Sequence, residues 1–203
     1  MAATKLILVR HGETVVNAGG KMHQDKDLAE LTKKGKLQIE KTAKKLKSLG
    51  INKLYSSMEK RATQSANIIG EVLELENEKI IGLEERQWGK LAGKAWGDIS
   101  KILDKLTLEE RYTYIPNGGE SWKQFIERFS GVIEKIIKDN EGETVVIVTH
   151  GGAIRDLIPY LLNEPKETSF KYDPPNSSIT SFKYESGKFK RELLMSTSHL
   201  EEK

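Results

Sequence analysis

The sequence predicts an α/β fold: a three-layer α/β/α arrangement in which helices flank a mainly parallel sheet. Three observations carry this expectation. Short apolar runs alternate with helix-period segments along the 203 residues, the pattern of successive βαβ units. The run Thr144 to Thr149 is β-branched throughout, as a central strand buried on both faces requires. The stretch Trp122 to Ile137 carries Trp122, Phe125, Ile126, Phe129, Val132, Ile133, Ile136 and Ile137 on one helical stripe, which suits a layer packed on a sheet.

Lys5 to Val9 is the first strand, a short apolar run bounded by polar, Gly-containing sequence. Thr32 is placed to cap a helix that shows Ile39, Ala43 and Leu46 on one face and stops at Gly50. The lysines from 33 to 47 cover its other side. No aromatics interleave with them, so they read as a solvated face rather than a nucleic-acid stripe. Lys53-Leu54-Tyr55 is a second strand, and Ser57 is expected to cap a helix reaching about Leu73. A third strand near Lys79 to Ile81 leads into an irregular stretch, Leu83 to Gly97. Gly89, Gly93 and Gly97 recur there every four residues, but Lys90 and Lys94 between them exclude a membrane dimerisation motif. Residues 98–115 carry a weak helical pattern, broken at Pro116-Asn117-Gly118-Gly119. Ser121-Trp122-Lys123-Gln124 is a capping box that opens the long helix. The strand Thr144 to Thr149 ends at His150-Gly151-Gly152, and a helix follows to Leu162. Ser178 to Leu194 holds two more strands, split at Ser186-Gly187. No repeat or linker divides the chain, so residues 1–203 read as one domain, with 86–120 as an insertion over one end of the sheet.

Composition narrows the function classes. Net charge is +3, from 33 basic and 30 acidic residues, and the pI of 8.8 comes with mixed signs. A nucleic-acid footprint has a pI above ~9 and clustered Lys/Arg, so no nucleic-acid partner is expected. The longest apolar runs, Leu6 to Val9 and Val145 to Val148, have four residues, against roughly 20 for a membrane-spanning helix. Met1-Ala2-Ala3-Thr4-Lys5 has no apolar h-region, so no signal peptide is expected. The absence of Cys excludes disulfides and thiolate zinc sites and fits a cytoplasmic protein. The sequon Asn176-Ser177-Ser178 then reads as chance. A sheet-edge strand and the apolar residues near Trp96 leave room for a homodimer.

The chemistry lies at two strand ends. Leu8-Val9-Arg10-His11-Gly12 and Val148-Thr149-His150-Gly151-Gly152 each end an apolar strand with a His followed by Gly. Open α/β sheets bind ligands at the carboxyl ends of their strands, so both imidazoles can converge. The helix N-terminus after His150 adds N–H groups and a positive dipole end. His23 and His199 lack this strand-end context. Arg10 can supply a bidentate fork to a phosphate, and a neutral imidazole can attack phosphorus. A leaving alkoxide then needs a proton from a nearby carboxylic acid.

These residues resemble a known family. Arg10-His11-Gly12-Glu13-Thr14, with Asn17 after it, is similar to the N-terminal signature of the histidine phosphatase superfamily, also called phosphoglycerate mutase-like. The segment Tyr55 to Ala66 resembles the one that carries the family's second phosphate-binding arginine, here Arg61. Leu83-Glu84-Glu85-Arg86-Gln87-Trp88-Gly89 resembles the segment of the acid/base carboxylate, here Glu85 rather than Glu84 by its spacing to Gly89. Gly118-Gly119-Glu120-Ser121 and Val148-Thr149-His150-Gly151 match the remaining motifs in family order. The resemblance implies a phosphoglycerate mutase-like fold with His11 as a nucleophile that forms a phosphohistidine. It gives Arg10, Arg61 and His150 the phosphoryl oxygens, with Asn17 and the N–H of Gly151 assisting. Glu85 protonates the leaving group and then activates water. Gln24 stands one residue from the family's glutamine position and is a further substrate ligand on this reading. The implied partner is a small phosphorylated substrate, with neither metal nor cofactor.

The pattern looks more like the family's broad-specificity and alpha-ribazole phosphatases than its cofactor-dependent mutases. The mutases are usually longer and carry paired arginines in the insertion. Here 32 residues, 86–117, separate Glu85 from Gly118; no Arg-Arg pair lies among them, and Arg111 has no arginine beside it. Val16 replaces a tryptophan frequent in the family, and Leu91-Ala92-Gly93 replaces a Trp-Glu-Gly, changes that alter substrate recognition and leave phosphoryl transfer intact. The expectation is therefore a phosphomonoester hydrolase. The alternatives are a cofactor-dependent phosphoglycerate mutase, a non-catalytic phospholigand-binding module, and a metal hydrolase using His11 and His150.

Overall fold

A computed structural model describes residues 2–26 and 28–201. In chain order the elements are β1 (Thr4–Arg10), α1 (Val15–Ala18), α2 (Lys33–Leu46), β2 (Lys53–Ser56), α3 (Lys60–Leu73), β3 (Asn77–Lys79), α4 (Trp96–Leu103), α5 (Leu108–Thr113), α6 (Trp122–Asp139), β4 (Thr144–Thr149), α7 (Gly151–Leu162), β5 (Ile179–Glu185), β6 (Lys188–Ser196) and α8 (Ser198–Glu201). One six-stranded sheet has the order β3-β2-β4-β1-β5-β6. Its first four strands are parallel, while β5 and β6 join antiparallel. The final turn, Ser186-Gly187, has φ of 51° and 77°, so both residues take the left-handed conformation of a type I′ hairpin. No described helix is long and apolar enough to cross a membrane.

The period-2 alternation of the central strands feeds two cores. Leu6, Leu8, Val145 and Ile147 face α6 and α7, against Phe125, Phe129, Ile133, Ile154 and Leu157. Ile7, Val9, Val146 and Val148 face α2 and α3, against Ile39, Ala43, Leu46, Ala62, Ala66 and Ile69. The α/β/α layering is thus as the sequence implies. His199 on α8 is buried against α2, with Nε2 3.0 Å from Thr42 Oγ1 and 3.1 Å from the Ser177 carbonyl.

Three details differ from the sequence reading. The third strand spans Asn77–Lys79 rather than 79–81, because Leu54 to Ser56 pair with Asn77 to Lys79, and Ile81 projects outward, 79% exposed. Helix α3 begins at Lys60 with Glu59 in the cap position and no side-chain cap bond. Ser57 does not cap it directly; its Oγ accepts from the Glu59 N–H at 3.2 Å and also meets His150. Residues 98–115 are two helices. The second, α5, has its own capping box from Thr107 and Glu110, and the first packs into a small separate core of Trp88, Leu91, Ile99 and Leu103.

The loop after β1 lies hard against α2. A Cβ on Gly35 would fall 2.1 Å from the Glu13 carbonyl, and one on Gly12 would fall 2.5 Å from the Gly35 carbonyl. Gly35→Ala is therefore expected to cost about 1–3 kcal/mol through overpacking against backbone. Leu37→Ala, at a 59% exposed position of the same helix, should stay within about 0.5 kcal/mol. Urea unfolding of the two variants measures the contrast.

Candidate active site

The β1–β4 register sets Arg10 opposite Thr149, so the next residues, His11 and His150, leave the sheet side by side. Their ring centroids are 5.4 Å apart. Both rings are buried, at 2% and 1% exposure; His11 lines a cavity of about 690 Å3 at the carboxyl edge of the sheet, and His150 lies just behind it, in contact with the lining residue Glu59. Arg10, Asn17, Gln24, Arg61, Glu85 and Gly151 line the same cavity, so every sequence-predicted site residue comes to one place.

Each side chain is held by its surroundings. His11 Nδ1 lies 2.8 Å from the Gly12 carbonyl. A carbonyl only accepts, so Nδ1 carries the hydrogen and the neutral ring keeps its lone pair on Nε2. Burial, then the nearby Arg61, holds the His11 pKa well below the usual imidazole value. The same two causes lower His150 well below it. The His150 Nε2 contacts to Ser57 Oγ (2.9 Å) and Glu59 Oε2 (2.7 Å) are therefore hydrogen bonds of a neutral ring. Arg10 donates from Nη1 to the Pro174 carbonyl at 2.6 Å. Its Nε is buried and finds no acceptor among the described residues. Arg61, 2% exposed, donates from Nη2 to Glu59 at 2.7 Å. Asn17 is fixed by a capping box with Thr14; its Oδ1 also accepts from Asn176 Nδ2 at 3.2 Å.

Glu85 is buried, which pushes its carboxyl pKa up, the direction an acid at neutral pH requires. Its Oε2 accepts from the Gly152 N–H at the start of α7, at 2.8 Å. A Cβ on Gly152 would lie 2.6 Å from Glu85 Oε1, so any other residue there would push the carboxyl out of this position. Arg128 clamps the preceding backbone, donating to the carbonyls of Gly82 (2.8 Å) and Glu84 (3.3 Å), and is itself held by Glu120 at 2.6 Å. Glu84 turns away to accept from the Gly82 N–H, and of the two only Glu85 lines the cavity beside His11.

The sequence reading also missed residues in and beside the cavity, among them His23 and Glu59 in its lining and Asn176 next to His11. His23 has its ring 5.7 Å from that of His11 and its Nε2 3.0 Å from Thr14 Oγ1. The signal was the displaced glutamine: His23 falls where the family's glutamine is expected, and Gln24 packs over Gly93 instead. Asn176, set aside with the sequon, donates to the His11 carbonyl at 3.0 Å. Glu59 had no motif to mark it. Trp88, Trp96 and Arg111 reach the cavity from residues 86–120. Among the described residues no group of three or more His, Cys, Asp or Glu side chains is placed to hold a metal ion.

A buried neutral imidazole flanked by anion donors, at the carboxyl edge of a parallel sheet, belongs to the class of phosphoryl-transfer folds. Within that class the chain belongs to the histidine phosphatase superfamily (branch 1), whose sequence profile matches residues 6–197. It is 32% identical over 208 residues to phosphoglycerate mutase-like protein 4 of Arabidopsis thaliana, covering 98% of this chain and 87% of that one. It is 34% identical over 167 residues to a metal-independent phosphoserine phosphatase of the same plant, covering 76% and 67%. A solved phosphoserine phosphatase from Entamoeba histolytica, a His-to-Ala mutant in complex with phosphoserine, superposes with a TM-score of 0.87 at 30% identity, over 97% of this chain and 99% of the other.

The lowered imidazole pKa values carry a sign. The unfolded chain protonates its histidines below about pH 6.5, while His11 and His150 stay neutral in the fold. The unfolded state then binds more protons, so stability falls as pH drops below that value, by up to about 1.4 kcal/mol per pH unit for each ring. Ring-nitrogen NMR is expected to show neither imidazole titrating near pH 6.5, and urea midpoints should decline on the acid side.

Proposed function

We propose that this chain is a metal-independent phosphomonoesterase that hydrolyses small phosphorylated metabolites through a phosphohistidine on His11. The observation that carries the reading is the His11 tautomer: Nδ1–H is committed to Gly12, which leaves the Nε2 lone pair as nucleophile. Nε2 attacks phosphorus in line with the ester oxygen. The P–O bond breaks, and the leaving oxygen takes its proton from Glu85. Arg10, Arg61 and His150, with Asn17, Gln24 and the Gly151 N–H, serve the three equatorial oxygens, where charge accumulates. In the second half, the Glu85 carboxylate takes a proton from water, the water oxygen attacks phosphorus, and the P–N bond breaks to release phosphate and neutral His11. Burial favours the neutral carboxyl before the first step, and desolvation favours return to it after the second.

The names of the relatives support the phosphatase reading, and the lack of an Arg-Arg pair in residues 86–117 supports hydrolysis over a mutase. Residues 86–120, with their own core, form the insertion that reads the rest of the substrate within a single domain. The Cys-free sequence supports a cytoplasmic setting.

Purified protein is expected to hydrolyse p-nitrophenyl phosphate in excess EDTA, and His11→Ala to lower kcat by at least about 1,000-fold. Rapid acid-free quenching with labelled substrate should trap an acid-labile adduct in the parent and none in His11→Ala. Loss of activity in EDTA with recovery on adding zinc or magnesium would overturn the reading, as would phosphoryl transfer to a phosphoglycerate outpacing hydrolysis when 2,3-bisphosphoglycerate is added. A second expectation concerns the leaving group. Nitrophenolate leaves without a proton, whereas an alkoxide needs Glu85. Gly152→Ala and Glu85→Gln should therefore lower kcat/KM for phosphoserine by about 100-fold and more than for p-nitrophenyl phosphate. In the parent, phosphoserine turnover should fall as pH rises through the raised Glu85 pKa.

A further inference from the structure

The phosphoryl cavity already holds an anion of the protein's own. Glu59 occupies the cap position of α3 yet makes no cap bond, and glutamate is not a residue that helix caps favour. Its side chain, 9% exposed, turns into the cavity instead. Oε2 lies 2.7 Å from Arg61 Nη2, 2.7 Å from His150 Nε2 and 3.5 Å from the Glu85 N–H. Two of these donors are the ones assigned above to the phosphoryl oxygens. A single carboxylate oxygen therefore stands where a phosphoryl oxygen would stand, held by the same atoms.

Fold stability does not account for this placement. Burial desolvates both Arg61 and Glu59, and a buried ion pair is weak support for a fold. A carboxylate also repels the dianion that the site is built to take. The two anions exclude one another, so one must leave when the other arrives. Glu59 has somewhere to go. A second cavity of about 390 Å3 adjoins the first, with Asp25, Glu59 and Glu85 lining both. Lys60 lines that second cavity as well, in a pair with Glu30 at 2.6 Å. Glu59 borders both cavities from the cap of α3, so a turn of its side chain alone would give the carboxylate a second place to lie.

We propose that Glu59 is an internal occupant of the phosphoryl site, displaced by the substrate's phosphate and returning as inorganic phosphate leaves, so that it sets the site's affinity for phosphate. Bound to Arg61 and His150, it keeps the donors oriented between turnovers. Re-entering, it competes with the product and hastens release, a step that limits many well-evolved enzymes. Glu59 is on this account a positioning residue that takes no part in bond making.

The inference rests on the assignment of Arg61 and His150 to phosphoryl oxygens, and its test needs no turnover. Binding of inorganic phosphate in EDTA is measured by calorimetry for the parent, Glu59→Gln and Glu59→Leu, with urea midpoints recorded for each. Both variants are expected to bind phosphate at least tenfold more tightly, a gain that damage to the fold would not produce. Unchanged or weaker binding in a variant with the parent's midpoint overturns the proposal. If both variants unfold, Glu59→Asp shortens the reach by one methylene and should tighten binding severalfold; no gain there overturns it equally. If no monoester is hydrolysed but Glu59→Gln still tightens phosphate binding, the phosphatase reading fails and this inference stands. If the parent hydrolyses monoesters and phosphate affinity ignores Glu59, only this inference fails.

Discussion

Parallel pairing of β1 with β4 places two strand ends at one edge in a single register, with Arg10 across from Thr149. Both strands are buried on both faces, so a slip by one residue would turn apolar side chains from one core into the other. The cost of that slip fixes the register, and the register fixes the approach of His11 and His150. Neighbouring elements are tied to the same edge. The Gly12 N–H donates to Ser65 Oγ at 3.1 Å, which draws α3 and its Arg61 toward the His11 loop. Thr149 Oγ1 donates to the Leu83 carbonyl at 2.9 Å and so brings up the segment that carries Glu85. From β5's side, the Ser177 N–H donates to the Arg10 carbonyl at 3.1 Å.

Such a cavity must store cationic donors while no ligand is bound. Burial solves part of this by keeping both imidazoles neutral, so the permanent positive charge on its floor rests with the guanidiniums. Arg10 leans on the Pro174 carbonyl, and Arg61 on Glu59. Higher on the wall, Arg155 is paired with Asp156 at 3.0 Å, and Arg86 donates to the Glu120 and Tyr114 carbonyls and stacks over Trp88. Burial brings the Arg86 pKa down to about 10, which still leaves it charged at neutral pH. The orientation of donors is thus set before any anion arrives, the condition under which electrostatic stabilisation of a transition state costs little reorganisation.

What the sequence made legible follows from the range of the interactions involved. β1, β4 and α6 announce themselves through local periodicity, and the two strand-end histidines follow from the rule that parallel strands finish together. The boundaries of β3 were not legible, because its register is dictated by β2 more than twenty residues earlier. The break between α4 and α5 was written in Thr107-x-x-Glu110, a capping box hidden inside a weak helical pattern. His23 escaped because its loop is steered from far along the chain: Asp25 accepts from the N–H groups of Trp88 and Gly89, at 2.9 and 2.7 Å. Glu59 escaped for a related reason. Beside Lys60 and Arg61 it reads as an ordinary helix-start charge, and only the arrival of His150 from β4 gives it a second partner.

Those two Asp25 bonds also separate the jobs within the site. They pin the loop bearing His23 and Gln24 to the start of the 86–120 segment, whose Trp88, Leu91, Ile99 and Leu103 form a core of their own. Phosphoryl chemistry is anchored in the two sheet cores, while on the wall Trp96 leans on Trp88 of this smaller one and Arg111 on Phe170, which meets Trp122 of a sheet core. Trp96 meets Trp88 edge-on at 5.9 Å, and Arg111 lies over Phe170 at 4.6 Å, contacts that leave the strand-end imidazoles untouched. Substitutions such as Leu91-Ala92-Gly93 can therefore reshape the wall without disturbing His11, because the two regions draw their rigidity from different packing. The same separation makes the phosphate the fixed part of any substrate and the remainder the variable part.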